Sequence, residues 1–221
     1  MIRNQSASRG FQEMGQHYIT SVLWVFSLLL TPCSAFPDDN RPFSESVVIF
    51  NTICAKCHEA QCSGRLSFDK AYEASSGHIV RHYNEASGKK WLQKELFKIL
   101  NHMKEKCSYY PMSIPVPPQR VWNSEILDKM TTLLERNYFI PVGPFSPGSY
   151  KLELNLARDE KVTLHLVSET FNILVEDCYL SSEKRIAIPF SVEDAETYYL
   201  RIYPRKPVQI TQLAIHRVNP Q

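Results

Sequence analysis

Several features that would identify a common class of enzyme are missing from this sequence of 221 residues. It has no Gly-rich phosphate-binding loop, no nucleophile elbow and no paired-carboxylate motif. Four acidic and imidazole side chains of the C-terminal half do not belong to any catalytic motif: Asp177, Asp194, His165 and His216. We therefore predict no catalytic residues and do not expect an enzyme.

An excess of charge of one sign is also missing. The chain has 25 Lys and Arg against 23 Asp and Glu, a formal net charge of +2, and it contains no charge block or internal repeat. Such a balance argues neither for nor against nucleic acid. No nucleic-acid partner is expected, because the sequence contains no nucleic-acid-binding motif.

No apolar run is long enough to span a bilayer comfortably. The N-terminal run around Val22–Leu30 is about a dozen residues, whereas a spanning helix needs about 20. Arg3 and Arg9 precede it, and Cys33-Ser34-Ala35 supplies small residues where a signal peptidase inspects the chain. Residues 1–35 are therefore predicted to be a secretory signal peptide, with a periplasmic or otherwise exported mature protein. A retained N-terminal anchor is the alternative.

The most informative stretch is the pentapeptide Cys54-Ala55-Lys56-Cys57-His58. Two thiols three positions apart, followed at once by an imidazole, are typical of c-type haem attachment. On one turn of helix both sulfurs reach the two vinyl groups of a porphyrin as thioethers, and the imidazole binds the iron. The motif predicts one covalent haem c, held by Cys54 and Cys57, with His58 as the proximal iron ligand.

A zinc knuckle formed by this motif with Cys62 is the alternative. Zinc–thiolate sites are mostly intracellular, whereas a C-x-x-C in an oxidising compartment tends to become a disulfide or a haem attachment site. The predicted export signal therefore favours haem.

Three segments before residue 140 have helical patterns. Ser44–Ala55 begins with a plausible cap and leads an apolar face into the motif. Lys89–Lys106 is amphipathic, and Asn123–Tyr138 carries apolar residues at helical spacing. The apolar face of the middle helix consists of Trp91, Leu92, Leu96, Phe97, Leu100 and Met103.

A Pro-rich extended loop, Ser108–Pro118, offers a sixth iron ligand. Met112 follows Pro111, and a thioether opposite His58 would raise the reduction potential. Met103 is better explained as core, because it lies on an apolar helix face. Three histidines within reach would lower the potential instead: His78, His82 and His102.

Two further cysteines flank the motif and the Pro-rich loop. Cys62 and Cys107 are predicted to form a disulfide in an exported domain. Cys178 would then be left over, although it could equally be the partner of either.

Residues 44 to 139 resemble the class I cytochrome c domain. The resemblance rests on a helix, Cys-x-x-Cys-His, an intervening helix, the Tyr-Pro-Met-Ser-Ile-Pro loop and a terminal helix. It implies electron transfer through His58 and Met112, in a haem-binding domain over 36–140. The chain departs from the family in lacking a Gly-rich stretch near the Met loop and in carrying Cys62 and Cys107.

From residue 141 the pattern changes to alternation, after a break rich in Pro and Gly. Apolar residues recur at every second position in six short segments: 150–156, 162–166, 171–175, 186–190, 198–202 and 213–215. This predicts an antiparallel β-sandwich over 141–221. The pattern loosely resembles the jelly-roll sandwiches of carbohydrate-binding modules. Tyr179, Tyr199 and Tyr203 are candidates for stacking on sugar rings or on a partner protein.

The predicted fold class is thus multidomain, α plus all-β: a small helical cytochrome c domain followed by a jelly-roll-like sandwich. The predicted function is an exported monohaem c-type cytochrome that transfers single electrons. We expect a carrier subunit docked to a larger redox complex, with a redox partner protein and an association with a membrane complex. One alternative is a haem-based sensor or enzyme with an open iron site, and another is a non-haem module that binds glycan or protein.

Overall fold

The structure is a computed structural model that describes residues 44–58 and 71–218. The predicted signal peptide, residues 1–35, and Cys62 lie outside the described residues, so export and the Cys62–Cys107 disulfide stay predictions. No helix in the described ranges is long and apolar enough to cross a membrane.

One helical segment leads into the cysteine motif, as predicted, and runs on through it to His58. It consists of α1 (Ser44–Ile49), a π-helical turn (Phe50–Cys54) and α2 (Ala55–His58). Two buried polar side chains bond back within it: the Asn51 amide donates to the Val47 carbonyl at 2.9 Å, and the Thr52 hydroxyl donates to the Val48 carbonyl at 2.7 Å. These bonds satisfy the buried Asn51 amide nitrogen and Thr52 hydroxyl where the motif begins, whereas the Asn51 side-chain oxygen is buried without a partner among the described residues.

Two longer helices follow. They are α3 (Ala71–His82) and α4 (Lys90–Lys106), and a short 3₁₀ turn, Asn84–Ala86, lies between them. The predicted amphipathic helix is confirmed in α4, with Leu92, Leu96 and Met103 buried. Trp91 was expected on the same face and is instead 51% exposed. Cys107 ends α4 in a left-handed conformation (φ 52°), and its N–H donates to the Met103 carbonyl at 3.0 Å.

The predicted helix over Asn123–Tyr138 is wrong. Only α5 (Ser124–Leu127) and a 3₁₀ turn (Asp128–Met130) are helical. The Asn123 side chain caps this turn by accepting from the Ile126 N–H at 3.0 Å. Leu133 and Leu134, expected on the buried face, are 82% and 69% exposed. Strand pairing on both sides overrides the helical pattern, since Val121–Asn123 and Tyr138–Pro144 join the two sheets described next.

Within the described residues, eight strands form two antiparallel sheets. The strands are β1 (Val121–Asn123), β2 (Tyr138–Pro144), β3 (Gly148–Leu156), β4 (Lys161–Ser168), β5 (Ile173–Leu180), β6 (Arg185–Val192), β7 (Thr197–Pro204) and β8 (Ile210–Val218). Sheet 1 has the order β1-β8-β3-β6 and sheet 2 the order β2-β7-β4-β5. Consecutive strands mostly alternate between the sheets, which is the arrangement of an eight-stranded jelly roll.

The inward faces of the two sheets share one hydrophobic core, as the alternation predicts. Leu152 and Leu154 of sheet 1 pack in the same cluster as Leu164 and Leu200 of sheet 2. Strand β5 departs from the prediction: Ile173 is 55% exposed because the pairing of β4 with β5 shifts register between Leu166 and Val167. A one-residue shift turns a side chain to the opposite face.

Helices α1 to α4 pack against the outer face of sheet 2 and form the helical layer. Phe139 of β2 and Val167 of β4 belong to the apolar cluster that also contains Val47 of α1 and Leu96 of α4. A separate helical cytochrome domain is therefore not seen within 44–58 and 71–218. The sandwich begins with β1, and the helices form a layer on it.

Candidate functional site

The helical layer borders a partly open cavity of about 500 Å³ beside the cysteine motif. One wall carries Cys54, Cys57 and His58, continued by Phe50 and Ile53 of the π-helical turn. The volume lies in the range of about 300–1,000 Å³ that small-molecule and cofactor sites have. The three residues predicted to hold haem are therefore brought together on one cavity.

The other walls come from one face each of α3 and α4. Helix α3 contributes Ser75, His78, Ile79 and His82, which are three or four positions apart and so share one face. Helix α4 contributes Leu96, Phe97 and Leu100. The cavity is thus largely apolar, with thiol and imidazole groups at one end.

Three histidines meet at this cavity. The ring centres of His58 and His78 are 5.6 Å apart with an interplanar angle of 69°, and those of His78 and His82 are 4.4 Å apart. Partial burial, together with the nearby His82, His58 and Arg81, lowers the pKa of His78 below its usual range. The imidazoles thus share a small volume without a carboxylate among the residues that line it.

The two thiols of the motif differ in environment. Cys54 is half-buried, and burial, with a smaller contribution from Cys57, raises its pKa to about 12. Cys57 is exposed at the cavity. Cys54 therefore stays protonated at neutral pH and is a weak nucleophile towards small reagents.

Strand β7 contacts the motif through the side chain of Tyr203. The Lys56 ammonium nitrogen lies 5.1 Å from the centre of the Tyr203 ring, and the Tyr203 hydroxyl donates to the Asn51 carbonyl at 3.4 Å. His165 of β4 contacts the same ring at 5.6 Å between ring centres. The motif is held against sheet 2 by a residue that sequence reasoning assigned to ligand stacking.

An aromatic cluster anchors the loop that follows α4. Tyr109 packs its ring 4.6 Å from Tyr199, 4.8 Å from Phe171 and 5.4 Å from Phe139. The guanidinium of Arg201, which is 2% exposed, donates to the Tyr109 hydroxyl. Sequence reasoning missed this cluster. A signal was present in β2, where both alternating sets are apolar, which is typical of strands covered on both faces.

Met112, the predicted sixth ligand, is half-buried on the apolar cluster of the helical layer and is not among the residues that line the cavity. Its role as a ligand stays a prediction. Met103 is 1% exposed and belongs to the core, as expected. His102 contacts Tyr110 at 4.9 Å between ring centres and does not line the cavity either. Of the alternative ligands, only His78 and His82 do.

Two further cysteines among the described residues do not line the cavity. Cys107 is exposed at the end of α4. Cys178 is exposed on β5, with its sulfur 3.2 Å from the Thr163 hydroxyl.

The expectation of an iron-containing, metal-binding protein needs correction. Within 44–58 and 71–218, no group of three or more His, Cys, Asp or Glu side chains is placed to hold a metal ion. A metal ion held by protein side chains alone is therefore not found in this part of the chain, and the zinc alternative, which needs Cys62, falls partly outside it. A porphyrin differs, since it supplies four nitrogen ligands itself and takes one or two axial ligands from the protein.

The three tyrosines proposed for stacking do not form one exposed platform. Tyr199 and Tyr203 alternate with the core-facing Tyr198, Leu200 and Ile202, so they point to the helical layer. Tyr179 of β5 packs half-buried against the sandwich core.

Comparison with known proteins identifies no family for this chain. Neither the protein-family models nor the curated proteins contain a match. Among solved structures, a family GH115 4-O-methyl-α-glucuronidase with specificity for decorated arabinogalactans is 15% identical with a TM-score of 0.33, covering 68% of this chain and 25% of its own.

Two other similar structures are family 29 carbohydrate-binding modules. One is 14% identical with a TM-score of 0.24 and covers 38% of this chain and 60% of its own. A variant solved with cellulohexaose is 13% identical with a TM-score of 0.23, covering 38% and 59%. This chain thus spans less than two thirds of each. All three are named as carbohydrate-active or carbohydrate-binding proteins. At TM-scores this low, the likenesses do not decide what the chain binds.

Proposed function

We propose that the chain binds one haem c covalently through Cys54 and Cys57, with His58 as an axial ligand, and uses it for one-electron transfer. The observation that supports this most is the placement of all three side chains on one largely apolar cavity of about 500 Å³.

The residues around the motif fit a porphyrin. Phe97 and Leu100 of α4 and Ile79 of α3 offer apolar contact for a flat macrocycle and exclude water from it. The sulfurs of Cys54 and Cys57 would bond to the porphyrin as thioethers, and His58 would bind the iron. The haem supplies reversible Fe(III)/Fe(II) chemistry when bound, and the low polarity around it sets the potential. A redox partner protein remains part of the proposal.

The test is covalent haem content. We expect the chain, matured in a periplasm that performs c-type haem attachment, to retain haem on a denaturing gel and to give a pyridine haemochrome with one haem per chain. Cys54→Ser with Cys57→Ser should abolish both signals. Cys178→Ser, an exposed thiol on β5, is the matched control and should leave them unchanged. A wild-type chain that folds and carries no covalent haem would refute the proposal.

Glycan binding by the sandwich is the alternative function. The solved neighbours are named for carbohydrate binding or hydrolysis, and the jelly-roll arrangement is compatible with it. Two of the three candidate tyrosines face the helical layer, which leaves Tyr179 as the remaining candidate for stacking. Affinity electrophoresis in gels containing soluble arabinogalactan or cellulose derivatives tests it: retardation that Tyr179→Ala removes would favour a glycan-binding module.

A further inference from the structure

We propose that helix α4 binds an anionic lipid surface through a basic ridge formed by Lys90, Trp91, Lys94 and Lys98. The proposal starts from Trp91, which is 51% exposed although the amphipathic pattern predicts it on the buried face of the helix. It goes beyond the proposed function and does not depend on haem.

The members of the basic ridge lie side by side on the solvent face of α4. Lys90, Lys94 and Lys98 are four positions apart, so they form one row along the helix. Trp91 stands beside that row, three positions before Lys94. All four residues are exposed, while the opposite face of the helix is buried in the apolar cluster of the helical layer. The ridge is therefore presented to solvent by a helix that the fold holds in place.

The ridge is basic in a chain that is nearly neutral. Helix α4 has five Lys against two Glu, a larger positive excess than that of the whole chain, whose net charge is +2. Glu95 is tied to α1, because it accepts a hydrogen bond from the Ser46 hydroxyl. Glu105 lies about two turns beyond Lys98. The N-terminal part of α4 thus offers positive charge to an anionic surface.

The kind of cation favours a lipid surface over an acidic protein. The five side chains of α4 that carry a fixed positive charge are all Lys, and none is Arg. Lys is depleted at protein–protein interfaces, whereas Arg is enriched there, because its planar fork binds carboxylates in a fixed geometry. Mobile lipid headgroups need only point charges, and Lys clusters bind anionic lipids in this way.

Trp91 adds an apolar contact among these charges. Trp is enriched where a membrane meets water, because its ring is apolar while its N–H remains hydrated. The long apolar stems of Lys90 and Lys94 extend from the same face of the helix, with their ammonium groups in water. A basic helix face with an exposed Trp is typical of helices that lie in the interface plane.

The experiment measures binding of the exported, mature chain to large vesicles by co-sedimentation. The vesicles contain phosphatidylcholine alone or an equal mixture with phosphatidylglycerol. We expect binding only to the mixed vesicles, and loss of that binding at about 1 M NaCl, where the Debye length is about 3 Å. Lys90→Gln with Lys94→Gln should lower the partition coefficient about 25-fold, or about fivefold per Lys. Trp91→Ala should lower it about tenfold, because apolar contact with the lipid is lost.

Two matched variants serve as controls. Lys184→Gln with Lys206→Gln removes the same charge from exposed loops of the sandwich. Leu180→Ala removes another exposed apolar side chain, at the end of β5. Both should bind like the wild type. All of the substituted positions are exposed, so the changes leave the core intact.

Three results would overturn the inference: no binding to the mixed vesicles, equal binding to phosphatidylcholine alone, or an equal loss of binding in the ridge and control lysine variants. Lysine-dependent binding to soluble polyglutamate without binding to vesicles would assign the ridge to an acidic protein instead. Covalent haem is measured separately on the same protein. A failure of vesicle binding therefore leaves the proposed function standing, and a chain without haem leaves the lipid-binding ridge standing.

Discussion

The Lys56 ammonium nitrogen lies 5.1 Å from the centre of the Tyr203 ring, so a residue inside the cysteine motif rests on strand β7 of the sandwich. The His165 ring packs against the same tyrosine ring, and the Tyr203 hydroxyl donates to the Asn51 carbonyl. The sandwich is therefore part of the support of the cavity.

Removing the Tyr203 ring should loosen the motif. For Tyr203→Leu we expect a loss of about 0.5–1 kcal/mol in the free energy of unfolding, because a cation–π contact of this kind contributes about that much. Backbone amides of residues 50–58 should exchange faster with deuterium, measured by mass spectrometry. Tyr203→Phe keeps the ring and removes only the hydroxyl bond to Asn51, so the comparison isolates the ring contact with Lys56. Equal exchange rates in the two variants would mean that the contact does not hold the motif.

Removing the Tyr109 hydroxyl should destabilise the anchor of the 107–120 loop. Tyr109→Phe leaves the ring stack in place but takes an acceptor from the buried Arg201 guanidinium. The expected cost is about 1–3 kcal/mol, the usual penalty for losing a hydrogen bond to a buried charged group. Urea denaturation followed by fluorescence measures it.

The neighbouring tyrosine provides the comparison. Tyr110 is half-buried against His102, so Tyr110→Phe should change the stability by no more than about 0.5 kcal/mol. If both substitutions have the same small effect, the Arg201–Tyr109 bond is not an anchor.

Filling the cavity should block cofactor attachment without unfolding the sandwich. Leu100 lines the cavity and is half-buried, so Leu100→Trp adds bulk where the macrocycle would lie. We expect at least a tenfold drop in covalent haem per chain, with the far-ultraviolet circular dichroism unchanged. Leu133→Trp, at a position that is 82% exposed, is the control. Normal haem content in Leu100→Trp would place the cofactor elsewhere.

Acid should weaken sheet 1 through Glu153. Its carboxylate lies 2.8 Å from Lys151 of β3, 2.8 Å from Arg185 of β6 and 3.6 Å from His216 of β8. The hydrogen bond from Lys151, followed by that from Arg185, lowers its pKa from 4.5 to about 2. A carboxyl with a depressed folded pKa stabilises the fold above its unfolded pKa and loses that contribution as the pH falls towards the folded value.

The contribution of Glu153 should therefore be complete above about pH 5 and largely lost near pH 2. Glu153→Gln should lower the stability at pH 7 by about 1 kcal/mol or less, because exposed ion pairs are weak. The difference from wild type should shrink on acidification, measured by urea denaturation at a series of pH values. Glu183→Gln, in the exposed 181–184 turn, is the control, and a pH-independent difference would contradict the assignment.

The sequence predicted the elements whose burial is decided locally. Alternation in 150–156 and 186–190 became β3 and β6, and amphipathic spacing in 89–106 became α4, because each has one apolar face and one polar face. The prediction failed over 123–138, where helical spacing competes with pairing partners more than 60 residues away in the chain. Local pattern carries no information about such partners.

The sequence alone determined the cysteine motif and its spacing on one helical segment, because covalent geometry and helix pitch settle how those side chains are arranged. Only the tertiary structure decided what faces them. It brought the His78 ring into contact with the His58 ring, left Met112 outside the cavity lining, and covered Tyr199 and Tyr203 with the helical layer. Those choices depend on how helices and sheets pack across long separations in the chain, which residue order does not reveal.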